Sequence, residues 1–128
     1  MQVGEKTKVT VAARPLWNGT GVMLDAGHTY RLSAEGEWVD WYIKCGPAGY
    51  PSPNIVTRLL EMARREPTQL WFALIGAIAR DTSSQFLIGA GCNYRAVRSG
   101  ELTCFANDVR GLYWNNTGDV QLTIERLD

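Results

Sequence analysis

Short segments in which apolar and polar residues alternate run through the chain, and they constrain its fold more than any other feature. The clearest is 120–125, where Val, Leu and Ile alternate with Gln, Thr and Glu; the segments 8–12, 29–35 and 102–107 follow the same pattern. Successive side chains of a β-strand point to opposite faces, so each segment predicts a strand with distinct faces. The 13 glycines are spread between such segments. This pattern predicts an all-β fold, and a β-sandwich in particular.

One segment, Trp71–Ala79, is apolar on both faces. It predicts a central strand covered on both sides, with Gly76 at a bulge or a point of close packing. Nine residues are too few for a membrane-spanning helix, which needs about 20. We therefore expect no insertion into a membrane.

A second segment, 54–65, has helical rather than strand-like spacing. Its apolar residues recur at i, i+4 and i+7, which is typical of one face of a helix: Ile55, Leu59 and Met62. Ser52 suits the N-cap and Pro53 the first helical position. The sequence therefore predicts one short helix packed on the β-sandwich.

The charges exclude one large class of partner. The chain has 13 Lys and Arg against 13 Asp and Glu, so its net charge is zero. Nucleic-acid-binding domains normally carry a basic excess, so this chain is not expected to bind a nucleic acid. The N-terminus lacks the apolar core of a signal peptide, which predicts a cytoplasmic location and leaves export without a signal peptide open.

The reactive side chains are few. The three cysteines, Cys45, Cys92 and Cys104, are an odd number without a Cys-x-x-Cys motif, which argues against a disulfide framework. The one histidine, His28, lies in a predicted surface turn, and no Gly-x-Ser-x-Gly motif occurs. These absences favour a non-enzymatic protein.

The richest polar segment is 107–118, between two predicted strands. It contains Asp108, Asn115 and Asn116 and several backbone carbonyls. Oxygen ligands of this kind suit Ca²⁺, and a site with one carboxylate leaves coordination positions for a sugar's hydroxyl pair. The alternative is that Asp and Asn simply stabilise a turn through local hydrogen bonds.

Aromatic residues form a second candidate site. Trp38, Trp41, Tyr42 and Tyr50 lie among turn residues, and such rings cover the apolar faces of sugars. Trp38, Trp41 and Trp114 are predicted to be exposed because they neighbour turns. Two others lie in strand-like or pre-strand segments and are assigned to the core: Trp17 and Trp71.

Taken together, segments along most of the chain resemble the bacterial calcium-dependent galactophilic lectin family typified by the PA-I lectin of Pseudomonas. The matching segments are 17–22 with the glycine turn 26–27, 34–38, 46–49, 74–76, 86–89 and 107–118. The last is the most specific, because Asn107-Asp108-Val109 followed by Asn115-Asn116-Thr117-Gly118 resembles the family's Asn-Asp-Val…Asn-Asn-Ser-Gly calcium loop.

The resemblance implies a jelly-roll-like β-sandwich in which residues 1–128 form a single lectin-like domain. It implies that Ca²⁺ is held by the side chains of Asp108, Asn115 and Asn116 and the carbonyl of Leu112, with one further carbonyl from Asp40 or Trp41. The implied sugar-binding residues are Asp108, Asn115, Asn116, Trp41 and Tyr50.

The predicted function is therefore calcium-dependent binding of galactose-type glycans, without catalysis, by a homo-oligomer. One departure concerns the loop after Gly46-Pro47-Ala48-Gly49, where the family's type member has a sugar-contacting histidine and this chain has Tyr50-Pro51-Ser52-Pro53. The alternative is a structural or protein-interaction β-sandwich that has lost sugar binding.

Overall fold

Two antiparallel β-sheets face each other in the computed structural model, which describes residues 1–128. The first sheet has the order β1 (Lys6–Ala12), β9 (Asn116–Arg126), β3 (Thr29–Asp40) and β4 (Ile43–Cys45), and β7 (Gly91–Arg95) also pairs with β3. The second has the order β2 (Asn18–Leu24), β8 (Gly100–Ala106), β5 (Leu74–Ile78) and β6 (Phe86–Leu87). The predicted all-β sandwich is confirmed.

The core lies between the sheets and is built from the alternating apolar residues. Val120, Leu122 and Ile124 of β9 are fully buried, as are Tyr30 and Leu32 of β3. The outer residues between them are polar and partly or fully exposed. Burial of one face in each of these strands is what the alternating pattern predicts.

β5 is buried on both faces, as its continuous apolar sequence predicts. At Gly76 an added Cβ would lie 2.6 Å from the ring of Phe86, so only glycine lets β6 approach this closely. The predicted point of close packing is confirmed.

The predicted helix is present but shorter than 54–65. Helix α1 covers Ile55–Leu59, and a separate 3₁₀ turn covers Glu61–Ala63. The N-cap is Asn54 rather than Ser52: the Thr57 backbone N–H donates to Asn54 Oδ1 at 2.9 Å, and the Asn54 N–H donates to Thr57 Oγ1 at 3.3 Å. The prediction failed because this reciprocal capping box fixes the helix start two residues later.

The apolar face of this segment does not pack on the sandwich, contrary to the prediction. Ile55, Leu59 and Met62 are 65%, 76% and 82% exposed. The outer face of the second sheet is covered instead by Arg65, whose guanidinium lies 3.4 Å from the ring centre of Phe105. The segment therefore contributes no buried apolar residue to the sandwich.

The cysteines are all free, with Cys104 buried and Cys45 and Cys92 half-buried, in agreement with the expectation of no disulfide framework. No helix of the fold combines the length and apolar character needed to cross a membrane.

Candidate functional site

The pairing of β3 with β9 brings the predicted site residues together from distant parts of the chain. Asp40, at the end of β3, lies opposite Asn116, at the start of β9. Asp108 follows the end of β8, and a 3₁₀ helix over Arg110–Asn115 leads from it back to β9. The first-loop and last-loop residues therefore meet at one end of the sandwich.

A cleft of about 120 Å³ opens at this end. Six of the seven predicted site residues line it: Asp40, Trp41, Tyr50, Asp108, Leu112 and Asn115. The seventh, Asn116, is fully buried, and its carboxamide lies close enough to Asp108 to favour the ionised form of that carboxyl group. These seven residues therefore lie together at one end of the sandwich.

Three oxygens at this site are buried without any hydrogen-bond donor: Asp108 Oδ2, Asn115 Oδ1 and Asn116 Oδ1. Asp108 is held through its other oxygen, which accepts from the Val109 N–H at 2.7 Å. The nitrogen of the Asn116 carboxamide donates to the Ala13 carbonyl at 3.2 Å. A buried acceptor without a partner costs about 1–3 kcal/mol, so a cation or a water molecule at these oxygens would stabilise the site.

This donor set fits a hard cation. All three unpartnered atoms are oxygens, and one belongs to a carboxylate, which is the ligand chemistry of Ca²⁺. No three His, Cys, Asp or Glu side chains come together in the chain, and two of the three unpartnered oxygens here belong to carboxamides. The alternative of a self-capped turn accounts for only one oxygen of Asp108, the one bonded to Val109.

Asp40, one of the two candidates for a backbone carbonyl ligand, also presents its carboxylate at the cleft. Its carboxylate lines the cleft and accepts a hydrogen bond from the Tyr50 hydroxyl. Burial raises the pKa of Asp40, and burial with the nearby Asp40 charge raises the pKa of Asp108 to about 6. The cleft therefore holds two carboxylates whose mutual repulsion a bound cation would relieve.

Trp41 forms part of the cleft wall through an unusual backbone. Its φ of 59° lies in the left-handed region, as two-residue hairpin connections require, and its N–H donates to the Asn115 carbonyl at 3.2 Å. The side chain is 69% exposed and contacts Tyr42 edge to face at 4.7 Å. These two rings form an exposed aromatic rim on the cleft.

The burial predicted for Trp71 and the exposure predicted for Trp114 are confirmed, whereas the exposure predicted for Trp38 is wrong. Trp38 is fully buried, against the prediction of exposure, because its ring packs edge to face on Phe72 at 5.7 Å inside the sandwich. Trp114 is exposed as predicted but does not line the cleft. Trp71 is buried as predicted and also forms part of the cleft floor, while Trp17 is half-buried against Phe105.

Five cleft residues were not assigned to the site from the sequence. Two are Ile43 and Trp71, and the other three come from the helical segment: Asn54, Thr57 and Leu60. The three residues of the helical segment line the same cleft as Tyr50. Asn54 and Thr57 have the spacing of a capping box. This spacing is the sequence signal for the start of the helix, which the prediction placed at Ser52.

No protein-family model and no curated protein matches this chain at a significant level. Among solved structures, it matches the N-terminal domain of EclA, described as a PllA-like lectin, with a TM-score of 0.68 over 93% of this chain and 94% of that one. The chain has the fold of a PllA-like lectin. At 20% identity this likeness concerns the fold, whereas the cleft chemistry comes from this chain's own residues.

The two cleft carboxylates predict a specific pH dependence of stability in calcium-free buffer. Because the folded-state pKa of Asp108 is raised to about 6, its stabilising contribution is complete below the usual value of 3.8 and is lost as the pH rises through 6. The pKa of Asp40 is also raised by burial, so Asp40 likewise lowers the stability as the pH rises. We expect the free energy of unfolding to fall by about 2–3 kcal/mol between pH 4 and pH 7.

Urea denaturation at a series of pH values measures this effect, with Asp108→Asn as the comparison, since that variant should show a much flatter profile. The ion pair of Asp81 with Arg98 lowers the pKa of Asp81 to about 2, so it affects stability only in more acidic solution. A wild-type profile that rises from pH 4 to pH 7 would contradict the prediction.

Proposed function

We propose that this protein is a non-enzymatic lectin that binds carbohydrate through a calcium ion in the cleft between the β3–β4 turn and the loop after β8. The observation that supports it most strongly is the set of unpartnered buried oxygens on Asp108, Asn115 and Asn116. The lectin fold makes a carbohydrate the first ligand to test.

In this proposal Asp108, Asn115 and Asn116 bind Ca²⁺ through their side chains, and Leu112 contributes its carbonyl. Asp40 or Trp41 supplies an oxygen from the other side of the cleft. When bound, the ion accepts two neighbouring sugar hydroxyls as ligands, since Ca²⁺ takes six to eight oxygens. Asp108 and Asn115 also line the cleft, where they can accept hydrogen bonds from the same hydroxyls.

The sugar class we propose rests on the sequence resemblance, and the cleft wall is compatible with it. The exposed rings of Trp41 and Tyr42 suit the apolar face of a pyranose, and galactose-type glycans are the class we propose from the sequence resemblance. In the absence of the histidine, Tyr50, Asn54 and Thr57 provide the wall on the opposite side. Tyr50 orients the Asp40 carboxylate, because its hydroxyl donates to it.

Isothermal titration with calcium and a glycan array with and without chelator test the proposal. We expect saturable calcium binding and an array signal for galactose-terminated glycans that disappears with chelator and is competed by free galactose. A glycan signal that persists in chelator would refute the calcium mechanism. Calcium binding without any glycan signal would instead support the alternative, a β-sandwich that contacts proteins.

A single shallow site of this kind binds weakly, and linking several sites raises avidity by about 10²–10⁴. We therefore propose that the protein acts as a homo-oligomer. We further propose that residues 1–128 form one carbohydrate-binding unit, and that it is made in the cytoplasm.

A further inference from the structure

The side chain of Asp40 lies on the inner face of the first sheet, next to a side chain of the proposed calcium site. Asp40 comes two residues after Trp38, which is fully buried between the sheets, so the alternation of β3 turns both side chains inward. Asp40 pairs with Asn116 of β9, and residues directly opposite each other on antiparallel strands have Cβ atoms about 4.5–5.5 Å apart on one face. The Asp40 carboxylate therefore neighbours the carboxamide whose Oδ1 has no partner.

A hydrogen bond from Tyr50 fixes the orientation of this carboxylate. The Tyr50 hydroxyl donates to Asp40 Oδ2, and the Tyr50 backbone is held in turn by a pair of hydrogen bonds with Trp71, at 2.8 and 3.1 Å. This arrangement engages Oδ2 and leaves Oδ1 available at the cleft, which Asp40 and Asp108 both line. The carboxylate is thus held in place before any ligand binds.

Neither carboxylate of the cleft has a cation within the chain. The acidic residues of the five ion pairs are all elsewhere: Asp25, Glu35, Asp81, Glu125 and Asp128. No Lys, Arg or His lines the cleft, and Asp108 is only 1% exposed. Two desolvated carboxylates at one site are unfavourable without a counter-ion, and a divalent cation between them brings their combined charge to zero. With Asp108 alone, the bound ion would keep an uncompensated positive charge.

We propose that Asp40 binds the calcium ion directly through its carboxylate, as a second charged ligand across the cleft from Asp108. This inference rests on the proposed function and assigns one of its ligands, because the oxygen from the β3–β4 side of the cleft then comes from the Asp40 side chain. The affinity of a Ca²⁺ site depends on the charge of its ligands, so the second carboxylate strengthens binding. The loaded cleft is neutral and offers no electrostatic attraction to acidic sugars.

Calcium titration of Asp40→Asn measures the contribution of the charge. The variant keeps the backbone carbonyl and the shape of the side chain, and we expect its calcium dissociation constant at pH 7 to rise about 10-fold or more. Glu37→Gln is the matched control, because it removes a negative charge from an exposed position on the same strand. Its calcium affinity should stay within about twofold of the wild-type value, since water and salt screen an exposed charge.

Terbium luminescence separates direct ligation from an effect of the charge at a distance. Tb³⁺ binds to oxygen-ligand calcium sites, and its emission lifetimes in H₂O and D₂O together count the water molecules bound to it. In Asp40→Ala a water molecule takes the place of the carboxylate, so we expect about one more coordinated water than in the wild-type protein. A near-ultraviolet circular dichroism spectrum that matches the wild type shows that the variant is folded.

An unchanged calcium affinity in Asp40→Asn would overturn the inference and leave the proposed function intact, because a backbone carbonyl would then be the ligand from this side of the cleft. Equal numbers of coordinated waters in Asp40→Ala and the wild type would overturn it as well. A wild-type protein that binds no calcium would refute the proposed function and this inference together. Weaker calcium binding with an added water, but no glycan signal, would support Asp40 as a ligand and count only against the lectin function.

Discussion

Replacing Asp108 with asparagine is expected to reduce the calcium affinity about 100-fold or more and to abolish calcium-dependent glycan binding. Asparagine keeps the shape of the side chain and its hydrogen bond from Val109, but it removes the carboxylate whose Oδ2 has no partner. Isothermal titration with calcium measures the loss directly.

The same substitution is expected to stabilise the calcium-free protein by about 1–3 kcal/mol at pH 7, because it removes a buried charge beside Asp40. This opposite effect distinguishes loss of a ligand from misfolding. Asp119→Asn is the matched control: it makes the same change at an exposed position on β9 and should leave calcium binding unaltered. Equal calcium affinity in Asp108→Asn and wild type would show that the loop after β8 does not bind the ion.

Replacing Gly49 with alanine is expected to destabilise the fold by about 3 kcal/mol or more and to disrupt the cleft wall. The φ of Gly49 is +79°, and an added Cβ would lie 2.3 Å from the Trp71 carbonyl oxygen and 2.6 Å from the Ala73 nitrogen. Both obstacles are backbone atoms beside the Tyr50–Trp71 bridge, so they cannot move aside as a flexible side chain would. Urea denaturation measures the loss.

Gly21→Ala separates the cost of a positive φ from the cost of the clash between the added Cβ and the backbone. Gly21 has a similar φ of +74° but open space around its Cβ position, so this variant carries the backbone cost alone, about 1 kcal/mol. If the two variants lose the same stability, the contact between the loop before Tyr50 and the strand at Trp71 is looser than the structure indicates.

The strands and the ligand-bearing loop were predictable because each depends on neighbouring residues. Alternation in β9 requires one buried face whatever the partner strand is, and Asp108, Asn115 and Asn116 lie in one short polar segment of the chain. The helical segment was predicted less well, because helical spacing shows which residues share a face but not whether anything covers that face. In the structure that face is exposed, and neither α1 nor the following 3₁₀ turn contains a buried residue.

The sequence by itself determined that the chain forms an all-β sandwich and which residues offer oxygens to a cation. Only the tertiary structure decided that Asp40 presents its carboxylate to Asp108, that Asn54 and Thr57 line the cleft, and that Trp38 is buried. The physical reason is that these relations depend on the pairing of β3 with β9 and on loop packing. Both bring together residues far apart in the chain, which local patterns cannot specify.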